Sequence, residues 1–250
     1  MNEYYKTIPA EYFILRESFL SSLLEQMPVV KKGLRGSREV LRVYEHDRKH
    51  YMEISRSNRN WSKIHSLHSA REKTAKMLYS VKRILAVHHR QIRHANPEVI
   101  NISNRYDSAY YDSLREESCK FENETDYFYN GRHFRSRAEM ILAEVLDELG
   151  LEYKYDVVIG NEYTVDFVII FREFNRCIFI EFFGKCNSPS YNHDNSVKTE
   201  YYFNEGIYIG RDLYIFSGDI NYVPGADVIR SQIISVIDQL VCYHVRNCQK

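Results

Sequence analysis

No run in this sequence approaches the roughly 20 consecutive apolar residues that a membrane span requires. The opening stretch MNEYYKTIPAEYF has no basic patch followed by an apolar run, so no secretory signal is expected. Cysteine is sparse: five residues, at 119, 177, 186, 242 and 248, odd in number and without a CxxC pair. That pattern excludes a disulfide framework and a cysteine-rich zinc site, and it suits a reducing, cytoplasmic location. There is no HExxH helix, no GxxxxGK[ST] or GxGxxG nucleotide loop and no GxSxG elbow, so zincin, nucleotide-cofactor and acyl-transfer chemistry lack their signatures. His46 and His50 stand four apart without the zincin acid between them and read as helix-surface residues. What remains is a 250-residue chain, 44% hydrophobic and 27% charged, an ordinary globular composition for one large domain or two modest ones.

Net charge is also absent, with 34 Lys+Arg against 34 Asp+Glu, but the balance hides a division. Residues 1–95 hold 19 basic and 9 acidic side chains, and the remainder holds 15 and 25. A half at +10 joined to a half at −10 implies two parts with different roles.

The basic part reads as helical. Apolar residues at 13, 14, 19, 20, 23, 24 and 27 predict a helix over 11–27, stopped by Pro28. Val40, Tyr44, Tyr51 and Ile54 keep a 3-4 spacing that predicts a second helix over 37–54. After SRSNRNWS, with Ser62 as a cap, Ile64, Leu67, Leu78, Val81, Leu85 and Ile92 predict a third to about 93, although Arg71 and Thr74 break its seam. The expectation is a pair of long amphipathic helices in residues 1–95, possible partners in an antiparallel hairpin. Residues 96–125 read as a connector with one short helix.

From residue 125 the signal sharpens. DYFY-NG-RHF predicts a hairpin with an Asn-Gly turn. Ser136 and Glu139 fit a capping box on a helix that ends at Gly150. Strands follow over 152–159, 163–171 and 177–183, then a helix over 191–205, a strand over 212–217 and a last helix over 225–243. The order α-β-β-β-α-β-α predicts an α/β, or α+β, mixed sheet with helices on its faces.

The hairpin 163–183 carries the chemistry. A turn at REFN (172–175) sets Asp166 directly opposite Glu181 in otherwise apolar strands. Two like charges opposed in a hydrophobic sheet are destabilising unless something positive lies between them, and a divalent cation with oxygen ligands is the natural candidate. Glu139 falls on the stripe Leu142, Ala143, Leu146 and Leu149, either as a cap partner or as a third acid of the site. Lys198 shares a helix face with Tyr191 and Tyr202, either snorkelling to solvent or placed to stabilise developing negative charge. Arg135 and Arg137 flank Ser136 beside these acids and could meet a phosphate backbone or be plain surface residues. Arg38, Arg42, Lys49, Arg56, Arg59 and Lys63, interleaved with Tyr44, Tyr51 and Trp61, are the candidate phosphate contacts of the basic part, the alternative being a solvated face beside a dimerisation seam.

NGRHFRSRAE (130–139), YTVDF (163–167), FIEFFGK (179–185) and YNHDNSVKTEYYFNEGI (191–207) together resemble the PD-(D/E)xK nuclease superfamily over residues 126–220, a little under half the chain. The resemblance implies a restriction-endonuclease-like αβββαβ core in residues 126–250. It also implies Mg²⁺ or Mn²⁺ held by Glu139, Asp166 and Glu181, and a lysine that helps activate water against a phosphodiester bond. Val165 stands where that family has proline, and Phe183 where it usually has the lysine. Some branches place that lysine on the following helix, which assigns the role to Lys198 with Lys185 in reserve, Lys185 otherwise meeting nucleic acid. The expected function is a metal-dependent endonuclease acting on DNA, dimeric through its N-terminal helices or not. The alternative is a degenerate nuclease scaffold that binds nucleic acid or regulates without cutting it.

Overall fold

The computed structural model describes residues 7–45, 49–87, 97–99, 104–117, 127–160, 163–219 and 221–247. In chain order the elements are α1 (Ala10–Gln26), β1 (Val30–Arg35), β2 (Arg38–Tyr44), β3 (Tyr51–Ser55), α2 (Trp61–Val87), β4 (Pro97–Val99) and α3 (Ser108–Ser113). There follow β5 (Phe128–Tyr129), β6 (Arg132–His133), α4 (Arg137–Glu148), β7 (Glu152–Ile159), β8 (Tyr163–Phe171) and β9 (Arg176–Phe183). The last are α5 (Pro189–Asn204), β10 (Leu213–Ser217), α6 (Ala226–His244) and β11 (Val245–Asn247). The fold is mixed α/β, and the chain forms two compact units, Met1–Glu98 with Val245–Lys250, and Val99–His244. Among the described residues no helix is long and apolar enough to cross a membrane.

The first unit corrects the helical reading of residues 37–54. Those residues belong to an antiparallel sheet in the order β1-β2-β3. Arg35 pairs with Arg38 around a two-residue turn in which Gly36 takes φ 63°, a value glycine adopts without a Cβ penalty. The spacing that suggested a helix is overridden by an alternation of period two. Leu41, Ile54 and Val30 point to one face and pack with Trp61 and Ile64, while Arg38, Arg42 and Tyr44 take the other. The third expected helix exists as α2, starting at Trp61 instead of after a Ser62 cap. Its start follows a turn in which Asn58 Oδ1 accepts from the Asn60 N–H. Residues 88–93, where that helix was expected to end, and His46 lie outside the described residues.

α1 and α2 pack together. Arg71, which breaks the apolar seam of α2, serves the end of α1 instead, where its Nη1 donates to the Leu24 and Met27 carbonyls at 2.5 and 2.9 Å. These are the orphan carbonyls at the end of that helix, and a guanidinium there satisfies them and opposes the helix dipole.

In the second unit the sheet order is β10-β9-β8-β7, with β10 parallel to β9 and the other pairs antiparallel. Glycine punctuation sets the elements. Gly150 and Gly206, at φ 67° and 83°, follow α4 and α5. Each is followed by a residue whose N–H reaches back into the last turn, Leu151 to Leu146 O and Ile207 to Tyr202 O, both at 2.9 Å. The β5–β6 hairpin turns on Asn130 and Gly131, at φ 49° and 82°, as Asn-Gly demands. One core cluster joins Val168, Ile170, Cys177 and Phe179 of the sheet to Tyr202 of α5 and to Tyr106 and Tyr111. Residues 104–117 of the expected connector are therefore built into this core and contain α3, capped by Asp107. Each fully buried aliphatic or aromatic side chain here contributes roughly 1.5–3 kcal/mol.

Arg71→Ala leaves two C-terminal carbonyls of α1 without their donor. It should lower stability by about 2 kcal/mol, read as a shifted denaturant midpoint. An unchanged midpoint would show that α1 ends without this cap.

Candidate functional site

The β8–β9 hairpin closes through a 3-10 turn, Arg172–Phe174, with Asn175 in the left-handed region at φ 49°. Its ladder runs from Phe171↔Arg176 to Phe167↔Ile180. Extended by one residue, this register sets Asp166 opposite Glu181. Alternation puts Asp166 on the face of Val168 and Ile170, and Glu181 on the face of Cys177 and Phe179, all members of the cluster that α5 covers. Both acids are buried, 5% and 2% exposed.

Each acid has its own arrangement. Asp166 Oδ2 accepts the Phe182 backbone N–H at 2.7 Å, and its Oδ1 accepts from Arg135 Nη2 at 2.8 Å. Glu139 is both a cap partner and a member of the cluster. Ser136 Oγ accepts from the Glu139 N–H and donates to Oε1, while Oε2 accepts from Tyr155 Oη at 2.6 Å and from the Arg135 N–H at 3.2 Å. Glu181 is held from α5, with Lys198 Nζ 2.8 Å from Oε1 and 2.9 Å from Oε2. Tyr202 Oη lies 2.6 Å from Glu181 Oε1 and 2.8 Å from the Thr164 carbonyl. Tyr202 has one hydroxyl proton, so a protonated Glu181 can donate to Tyr202 while Tyr202 donates to Thr164.

Asp156 is a fourth acid, one that the spacing of the sequence did not single out. It is 4% exposed and sits at φ 53° within β7, where a non-glycine residue is strained. Its Oδ1 accepts no aligned hydrogen bond, although Arg135 Nη2 lies 3.2 Å away. A signal for it exists, because Val157 pairs with Val165 and Tyr155 with Phe167, which leaves Asp156 opposite Asp166. The cross-strand argument that matches Asp166 with Glu181 applies equally to β7.

Arg135 therefore bridges three carboxylates, Asp166 at 2.8 Å, Asp156 at 3.2 Å and Glu139 at 3.8 Å. Expected as a contact to phosphate, it is instead engaged with acids. Arg137 is exposed at the start of α4. Lys185 is exposed in the turn after β9, with no side-chain contact to the acids among the described residues, and it is Lys198 that reaches Glu181. A groove of about 550 Å³ lined by Phe183, Asn192, Thr199, Phe203 and Ile215 contains none of the four acids.

The electrostatics show an excess of negative charge. Burial and the Asp166 carboxylate push Glu181 up to about 8, against Lys198 and Tyr202, which favour its charged form. Burial and Asp166 push Glu139 up to about 7, opposed by Tyr155, Arg135 and Ser136. Burial also raises Asp156, less strongly, with Arg135 and the Thr164 hydroxyl opposing it. Glu139, Asp156, Asp166 and Glu181 face Arg135 and Lys198, four carboxylates against two cations. Fully ionised, the acids would exceed the cations by two charges, and without a metal the protons held by Glu181 and Glu139 close that gap. The hard oxygen donors are of the kind that could hold a divalent cation such as Mg²⁺ or Mn²⁺. As the side chains stand, no three His, Cys, Asp or Glu groups among the described residues form a ready cage. A cation would be held by Asp166 and Glu181 with Glu139 or Asp156, after Arg135 swings aside.

No protein-family model matches the chain, and no curated protein or solved structure matches it either.

Between pH 4.5, the ordinary glutamate value, and about 8, the folded protein keeps a proton on Glu181 that the unfolded chain has released. Metal-free stability is thus fully present below the lower value and falls as pH rises through the window. The thermal midpoint in chelator should drop from about pH 5 to 8, and Glu181→Gln should flatten most of that slope, Glu139 supplying the rest. A wild-type midpoint that rises over this range would contradict the assignment.

Proposed function

We propose that the second unit is a metal-dependent nuclease domain that hydrolyses phosphodiester bonds, with DNA as substrate. The observation that carries the reading is the desolvated acid pair Asp166 and Glu181, with Lys198 on Glu181, in a cluster whose acids hold protons above their ordinary range because two cations do not offset four ionised carboxylates. The element order α4-β7-β8-β9-α5-β10, with β10 parallel to β9, supports a restriction-endonuclease-like core. Lys198 reaching the acid from the following helix supports the branch in which the lysine has left the strand.

When bound, a Mg²⁺ or Mn²⁺ ion supplies Lewis acidity toward a phosphate oxygen and makes a nearby water more acidic. Asp166 and Glu181 would hold that ion, with Glu139 and Asp156 beside them. Lys198 Nζ, fixed by both oxygens of Glu181, places a positive charge where the reacting phosphate accumulates negative charge. Arg135, released from its three acids, is free to turn toward the phosphate backbone as a bidentate donor. Tyr202 fixes Glu181 through Oε1 and so limits the orientations of that carboxylate.

A second reading has its own support. Arg135 fills the space between Asp166, Asp156 and Glu139 as a resident cation, which suits a scaffold that binds nucleic acid without cutting it.

The two are separated by incubating supercoiled plasmid with the protein in Mg²⁺, Mn²⁺ or chelator. Metal-dependent nicking or linearisation is expected. Asp166→Asn, which keeps an acceptor for the Phe182 N–H, should abolish it, and Lys198→Ala should slow it by about 10²–10³-fold. Asp156→Asn suits the left-handed backbone and should weaken Mn²⁺ binding by about tenfold or more in a titration. Full activity in Asp166→Asn would sink the nuclease assignment, and inactive wild-type protein that still binds DNA would favour the second reading.

A further inference from the structure

Of the basic and aromatic residues whose spacing suggested a helical stripe, Arg38, Arg42, Tyr44 and Tyr51 fall instead on one face of the β1–β2–β3 sheet, while Trp61 packs against the other. The register places Lys31, Gly33 and Arg35 of β1 beside Arg38, Val40, Arg42 and Tyr44 of β2, and these beside Tyr51, Glu53 and Ser55 of β3. Leu41 and Ile54 occupy the other face, against Trp61 and Ile64. The basic face therefore carries four cations, one acid and two tyrosines, with Val40 buried in its middle.

The tyrosines are arranged with the cations. Tyr44 and Tyr51 are cross-strand partners with ring centroids 5.3 Å apart. Lys31 Nζ lies 5.0 Å from the Tyr44 ring and Arg42 Cζ 5.2 Å from the Tyr51 ring. The Arg42 guanidinium is fixed by Glu53 at 3.0 Å and lies across Gly33, where an added Cβ would come within 3.1 Å of its Cζ. Tyr51 remains 47% exposed.

The far end of the face is the second observation. Arg35 and Arg38 are direct cross-strand partners, both exposed, and neither makes an ion pair among the described residues. Like charges directly opposed in a sheet are destabilising unless an anion lies between them. Arg38 to Tyr44 spans about 20 Å along β2, so a polyanion that meets the arginine pair can continue to the tyrosines.

We propose that this face binds single-stranded nucleic acid, with a phosphate between Arg35 and Arg38 and a base against Tyr51. An acidic peptide satisfies the arginines but offers nothing to the tyrosines, and a duplex satisfies the arginines but hides its base faces. Unpaired nucleotides alternate charge and flat π surface as this face does. The site is independent of the acid cluster and does not rest on the nuclease reading.

The test is fluorescence anisotropy of a labelled mixed-sequence DNA strand of about 20 nucleotides, with the full chain in chelator so that no cleavage intervenes. Tyr51→Ala should weaken binding by about tenfold. Arg35→Gln/Arg38→Gln should reduce the slope of log affinity against log salt by about 1.4, the value for two released counterions on a single strand. All three positions are exposed, and circular dichroism checks that the fold is kept. Binding that survives both variants unchanged, a Tyr51→Ala protein as tight as wild type, or equal competition by polyglutamate would each overturn the proposal. So would the absence of binding.

Discussion

The second unit is organised around one difficulty, the charge of Asp166 inside a sheet. A carboxylate 5% exposed must find donors or give up its charge. Asp166 takes one donor from the backbone at Phe182, just where the β8–β9 ladder stops, so its own side chain substitutes for a strand partner. The other donor comes from Arg135, which is carried into place by the β5–β6 hairpin and fixed by the cap of α4. Burial, and after it the charge of Asp166, raises Glu139 and Glu181. Those two are met by Tyr155 of β7 and the α4 cap Ser136, and by Lys198 and Tyr202 of α5.

Such an arrangement is poorly explained by stability. Buried ion pairs recover little more than their desolvation cost, and well-packed apolar residues of similar size are often as stable or more so. Here two cations face four acids, so Glu139 and Glu181 must hold protons well above the ordinary range, and Asp156 adds a strained backbone to the same cluster. A core of Val, Ile and Phe runs on either side of the cluster and could have been continued through it. Buried acids whose protonation is shifted by burial and by one another are a feature that functional sites share, which is why the cluster carries the proposed function.

Much of this unit is legible in the sequence because its signals are local and redundant. The strands β8 and β9 are largely apolar runs separated by the REFN turn and closed by Gly184, and fixing that one turn fixes the Asp166–Glu181 relation. The Asn130-Gly131 turn, the Ser136 cap and the glycines after α4 and α5 are each specified by their own chemistry. The first unit misleads where two periods coincide: Val40 and Tyr44 are four apart, which suits a helix turn and also one face of a strand. Gly36-Ser37 is the deciding turn, and a tertiary partner, the apolar side of α2 at Trp61 and Ile64, chooses the sheet. Asp156 escapes because its partner is fixed by the β7–β8 register, which the sequence marks less sharply than the REFN turn marks the next hairpin. Tyr106 and Tyr111 escape because a polar stretch without a period gives no sign of the core it enters.

The two units handle like charge in opposite ways, and the difference follows from solvent. In the second unit the acids are buried, where unit charges interact far more strongly than in water, so two cations are spent inside the protein to hold them. In the first unit Arg35 and Arg38 stand opposite each other at the surface, where screening reduces their repulsion to a few tenths of a kcal/mol up to about one. Nearby cations are neutralised locally, Arg42 by Glu53 and Arg56 by Glu39. A sequence able to place glutamate beside two of its arginines could have done so for the other two. Leaving that pair without acids costs little in the free protein and keeps a polyvalent anion attractive, whereas the buried acids can be sustained only by permanent partners. The two treatments lie in the two oppositely charged parts of the chain, +10 over residues 1–95 and −10 over the rest.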